Sequence, residues 1–229
     1  MNNKYVLWMQ GTKKSEKTIE TYCLYIEKFL KFISKDETEA DMEDLIMYEG
    51  SIANLSNASI ALQINAIKSY YKFLNKINAI KENPFEDAET PKVKNKQKHY
   101  MTAEDIRALI DNAGSAKTKA IIAVLSSTGL RMAEMSSITM KQFNAMEQSG
   151  VHMVTVIGKG DKERTVFIND MAYGYIKQYL EKKKVNNSEF LFGSDNGNLL
   201  DDANINRAIK TAARKAGIPY WEEISCHYL

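Results

Sequence analysis

Cysteine and histidine are scarce in this chain: its 229 residues hold two of the first and three of the second. Cys23 and Cys226 lie far apart and fit neither a CxxC motif nor a disulfide framework, which favours a reducing, cytosolic setting. So few soft ligands give a zinc site little support. No apolar run is long enough to span a bilayer and the N-terminus lacks the features of a signal peptide, so no membrane partner is expected. Walker-type loops, GxGxxG and GxSxG are all missing, which leaves no nucleotide cofactor implied. No internal repeat is evident.

What is present is ordinary in bulk, with 44% hydrophobic and 26% charged residues, as in a globular protein with one large core or two smaller ones. The net charge of +2 hides an uneven distribution. Residues 1–90 hold 11 lysines, no arginine and 14 acids, a net of −3, whereas residues 101–229 come to +1. Between them PKVKNKQKHY carries Lys92, Lys94, Lys96 and Lys98 and no acid. That run is a candidate nucleic-acid contact; taken alone it also fits a solvated linker.

Hydrophobic spacing divides the chain. In the first part, Ile19, Tyr22, Ile26, Phe29, Leu30 and Ile33 recur at helical intervals. Asp41 is placed to cap a second helix through about Ile52. A third follows Ser56 or Asn57, with Ile60, Ile64, Ile67, Tyr71 and Leu74 on one stripe. These predict a small helical bundle over 1–82 whose aromatic stripe is core rather than a base-stacking platform. Pro84 and Pro91 bracket an acidic patch without apolar period, so 83–100 reads as a basic interdomain linker.

In the second part, over 101–229, Thr102 and Asp105 form a capping-box pattern. The apolar KTKAIIAVLSSTG ends near Gly129, and a short polar-faced helix starts at Arg131. VHMVTVIGKGDKERTVFI then predicts a β-hairpin around a charged, glycine-flanked turn. Helices around 170–183 and 201–216 follow, the latter stopped by Gly217.

Three stretches can carry chemistry. In STGLRMAEM, Arg131 sits where its planar fork can hold two phosphate oxygens; the alternative is a surface arginine pairing with Glu134. In IGKGDKER, Lys159 is free to approach another molecule and to neutralise phosphate or give a proton to a leaving oxygen, a role Lys162 or Arg164 could share; the alternative is a solvated turn. In ISCHYL, His227 is suited to proton transfer near neutrality, although a single histidine there is weak by itself.

In this order the three stretches resemble the tyrosine recombinases, the family of phage integrases and Xer-type resolving enzymes. STGLRMAEMSSIT is similar to the family's TGLRxxEL box. VIGKGDKERTVFI is similar to its GKGxKxRxVPL hairpin, with Phe167 where proline is common, and SCHYL to the opening of HxLRH. LFGSDNG and AARKAGI also fall where the family has them. The resemblance implies a mainly α fold with a small β-hairpin: an N-terminal SAM-like bundle and an α+β catalytic domain. It implies that Arg131 grips the scissile phosphate, that Lys159 protonates the departing 5′ oxygen and that His227 is a further phosphate ligand. Glu134 would be a supporting acid, and Lys92, Lys94, Lys96 and Lys98, with Lys162 and Arg164, would contact duplex DNA. In the family a tyrosine attacks DNA to give a 3′-phosphotyrosine, which stores the bond energy so that rejoining needs neither ATP nor metal.

The second arginine should follow Leu229, and the nucleophilic tyrosine should come after it. The expectation is therefore a shortened chain that holds duplex DNA without cutting it, the full-length enzyme acting with other protomers in a synaptic tetramer. Tyr220 and Tyr228 are rejected as substitutes because neither falls after the missing arginine. A non-enzymatic DNA-binding regulator derived from a recombinase is the alternative, and a helical adaptor a third reading.

Overall fold

The computed structural model describes residues 3–93, 99–158, 162–183, 188–194 and 196–229. The chain forms two compact units, Met1–Gln97 and Lys98–Leu229.

The first unit holds α1 (Asn3–Gly11), α2 (Glu16–Ile33), α3 (Met42–Ser51) and α4 (Asn57–Lys76), with a 3-10 turn at Glu37–Glu39. Side chains set the starts of three of them. Ser15 accepts the Thr18 N–H at α2, Asp41 and Asp44 exchange reciprocal bonds at α3, and Ser56 accepts the Ser59 N–H at α4. Each cap satisfies a backbone donor that the first turn leaves open. The expected stripe is the observed core: Ile19, Ile26, Phe29 and Ile33 of α2 face Ile64, Ile67, Tyr71 and Leu74 of α4. Tyr22, Leu30 and Ile60 are half-buried at its margin.

Two features depart from the expectation. Helix α1 had no sequence assignment; it packs Tyr5 and Met9, one turn apart, into the core. Tyr5 meets Tyr70 edge-on at 5.1 Å and gives its hydroxyl to Ser69. The segment expected to be linker also contributes to the bundle, for Phe85 is 0% exposed and Ala88 is buried beside it. Phe85 lies edge-on to Tyr71 at 4.5 Å and to Phe29 at 5.7 Å. An isolated aromatic between prolines leaves no periodic trace, yet burying its ring area outweighs the disorder such a segment would otherwise keep.

The second unit runs α5 (Ala103–Asp111), α6 (Ala116–Thr128), α7 (Met132–Ser136), α8 (Met140–Ser149), β1 (Met153–Ile157), β2 (Glu163–Phe167), α9 (Asp170–Lys182) and α10 (Asp202–Lys215). Two 3-10 turns follow at Trp221–Glu223 and Cys226–Tyr228. Thr102 and Asp105 form the predicted capping box of α5. Helix α6 is buried all round from Ala120 to Leu125, and α5, α9 and α10 pack against it. A helix apolar on every face belongs in the centre of a core.

Gly129 ends α6 with φ at 61°, a left-handed turn in which its N–H reaches the Leu125 carbonyl. The chain re-enters helix three residues later, at Met132. Helix α7 is not polar-faced as expected: Met132, Glu134, Met135 and Ser136 are all buried. Helix α8 was not foreseen, although Thr139 and Gln142 form its capping box and Phe143 and Met146 its buried side. β1 and β2 pair antiparallel with Val154 opposite Val166 and Val156 opposite Arg164. Among the described residues this two-stranded sheet is the whole β structure apart from one isolated bridge, Thr139 with Phe190. The mainly α architecture with a small hairpin is the one expected, and no described helix is long and apolar enough to cross a membrane.

Candidate active site

Gly129 turns the chain so that Arg131 becomes the N-cap of α7, with extended backbone and a side chain 61% exposed. Arginine has no acceptor to offer the helix, so only half a capping box forms: Glu134 reaches back and takes the Arg131 N–H at 2.8 Å on Oε2. Its Oε1 accepts Arg131 Nη1 at 3.0 Å. Arg164, from β2, gives Nη2 to the same Oε2 at 2.6 Å. One carboxylate, 4% exposed, is thus shared by two arginines.

Burial raises the Glu134 pKa, but the Arg131 N–H, the Arg164 guanidinium and the Arg131 guanidinium together outweigh it and hold the carboxyl below its ordinary value. A buried charge so fully bonded avoids the desolvation penalty of an unpaired one. Arg131 spends one Nη on this bond, and its remaining donors stay available in a planar fork.

The hairpin closes on the same acid. Gly158 follows β1 and bonds its N–H to the Lys162 carbonyl at 2.8 Å. A Cβ on Gly158 would sit 3.0 Å from Glu134 Oε1. Glu134 cannot step aside without losing an arginine, so Gly158→Ala should cost the second unit about 1 kcal/mol. An unchanged or higher melting midpoint would show that the carboxylate has slack. Arg131, Glu134 and Gly158 line an open cavity of about 660 Å³ with Ser137, Thr139, Gln142 and Thr155. Those four polar residues were missed in the sequence; the Thr139–Gln142 capping pattern was the signal for the helix that presents two of them.

The other expected site residues stand as follows. His227 is exposed in the turn Cys226–Tyr228, where Ser225 Oγ takes its N–H at 3.4 Å. Buried Cys226 ties that turn to α10 through Asn206 Oδ1 at 2.8 Å. Lys162 is exposed beside the hairpin. Lys92 is exposed too, its carbonyl accepting from Asn57. Lys94, Lys96, Lys98 and Lys159 lie outside the described residues. Tyr220 donates to Asp105 at 2.7 Å, and burial together with that carboxylate pushes its pKa up to about 12. Tyr228 donates to Glu223 at 3.1 Å, and burial and that bond raise its pKa too.

Comparison with known proteins places this arrangement. Residues 3–79 match the phage integrase N-terminal SAM-like domain. A tyrosine recombinase XerD from Rickettsia bellii is 31% identical over 192 residues, covering 77% of this chain and 63% of that protein. The chain therefore spans less than two thirds of this relative's length. A XerD from Oceanobacillus iheyensis is 25% identical over 221 residues, covering 89% of this chain and 73% of the relative. A lambda integrase dimer bound to a COC′ core site shares the fold, with a TM-score of 0.75 at 13% identity over 99% of this chain and 81% of that one. Residues 99–229, which hold the Arg131 turn, the hairpin and His227, match the phage integrase family itself, and the chain belongs to that family, the tyrosine recombinases.

Proposed function

We propose that the whole protein is a site-specific DNA recombinase of the tyrosine type, acting on duplex DNA in the cytoplasm together with further protomers. The observation that carries this reading is the exposed Arg131 fork backed by a buried, doubly bonded Glu134. Such a fork is fixed before an anion arrives, so it stabilises charge on the non-bridging oxygens of a phosphate without reorganising as the reaction proceeds. In this reading Lys159 gives the departing 5′ oxygen its proton and His227 adds a further phosphate contact. Strand cleavage and rejoining through a 3′-phosphotyrosine belong to the whole protein. In this reading the 229 residues supply the part of the protein that holds duplex DNA.

A binding titration on a duplex at rising salt tests this. Affinity should fall steeply and linearly on a log–log plot, and Arg131→Ala should weaken it about tenfold and lower the slope by about one phosphate contact. Duplex affinity that is unmeasurable at low salt, or indifferent to Arg131→Ala, would overturn the reading.

A further inference from the structure

Residues directly opposite across an antiparallel pair share a face of the sheet. The register Val154–Val166 and Val156–Arg164 therefore puts Arg164 on the side that carries Val154 and Val156 into the core, with Val166 half-buried between them. The opposite face carries Met153 with Phe167, Thr155 with Thr165, and Ile157 with Glu163, and Met153, Ile157 and Phe167 are exposed there. An arginine on the core side of a strand needs an acid, and Glu134 supplies it 30 residues away in sequence. The same Nη2 also approaches the Gly129 carbonyl at 3.5 Å, so one guanidinium reaches both the last turn of α6 and the acid of α7.

The geometry points to a role for Arg164 that the hairpin's lysine-rich appearance conceals: we infer that it is a positioning residue, acting on Arg131 through Glu134 and fastening the hairpin to the Arg131 turn, rather than an independent DNA contact. Three observations agree on this. The Arg164 guanidinium shares Oε2 with the Arg131 N–H, so it helps to fix which carboxylate oxygen is left for Arg131 Nη1. Gly158, at the end of the paired strand, lies close enough to Glu134 that any side chain would intrude. And Arg164 is the less exposed of the two side chains, at 42% against 61% for Arg131.

The inference rests on the recombinase reading for its purpose, but not for its test. In the full chain with labelled glutamate, the titration midpoint of the Glu134 carboxyl should rise in Arg164→Gln, because a cation within bonding distance has gone. Arg164→Lys should restore part of that shift, since it keeps the charge without the fork. If Arg164→Gln fails to fold, the lysine variant carries the measurement, with an intermediate midpoint expected. An unmoved midpoint in a folded variant overturns the inference.

Duplex binding supplies the second arm. Arg164→Ala should weaken binding by no more than Arg131→Ala does, and should add nothing in the Arg131→Ala background, since its effect runs through that one contact. Additive losses, each with its own fall of about one in the salt slope, would make Arg164 a phosphate contact and refute the positioning role. A wild-type chain with no salt-dependent affinity would sink the recombinase reading while the Glu134 midpoint still decided this one.

Discussion

Replacing Phe85 by alanine should destabilise the first unit by about 3–5 kcal/mol, the range for emptying a fully buried phenylalanine site. Its ring is 0% exposed and meets Tyr71 at 4.5 Å and Phe29 at 5.7 Å, both edge-on. Those neighbours sit on α4 and α2, whose backbones are held by their own hydrogen bonds and cannot collapse to fill the void. Hydrogen exchange in the full chain reads this directly: amides of α2 and α4 should lose protection, while those of α6 and α9 keep theirs. A loss below about 1 kcal/mol would mean that Phe85 lies in a yielding surface strap and not in the core. Phe85→Leu, which keeps much of the volume, should recover most of the stability.

Glu134→Ala is expected to cost the second unit about 2 kcal/mol and to weaken duplex binding about tenfold. The figure is smaller than the 3–5 kcal/mol typical of breaking a wholly buried pair, roughly because the orphaned partners here are 61% and 42% exposed and can take up water. The binding loss arises separately, from an Arg131 that has lost both its N–H acceptor and its guanidinium acceptor. Glu134→Gln should be milder, since an amide oxygen still accepts one bond. The pH dependence follows from the sign of the shift. The folded-state pKa of Glu134 lies below its unfolded value, so the stabilisation is present above the unfolded pKa of about 4.3 and is lost as pH falls through the folded one. Acid unfolding of the second unit should therefore be less steep in Glu134→Gln. Identical acid limbs in the two chains would show that this carboxyl does not govern the transition.

Much of the fold was legible, for reasons that also explain what was not. Helices α2, α4 and α5 announce themselves by a cap followed by a long or strongly sided apolar stripe. Helix α1 offers only two fully buried residues in nine, too few for a period to stand out. Helix α8 was marked by its cap alone, with Phe143 and Met146 as its buried side. In the site, Arg131 and Glu134 are three residues apart and their pairing is local, so a short motif contains it. The bond from Arg164 to that same carboxylate is fixed by strand register and by where β2 lies against α7, which local sequence does not encode. The alternation Arg164, Val166, Ile168 in a strand whose partner turns Val154 and Val156 inward was the available clue.

The two arginines that meet on Glu134 differ in what anchors them. Arg131 leaves the end of α6, which is enclosed on every side from Ala120 to Leu125 and cannot shift without opening the core. Arg164 belongs to a two-stranded ladder, an element that has little stability apart from what it leans on. Of the two anchors, one is immovable and the other can yield. Any rearrangement around Glu134 therefore falls to the hairpin, and the carboxylate sets how far it can swing before Arg131 is left unsupported.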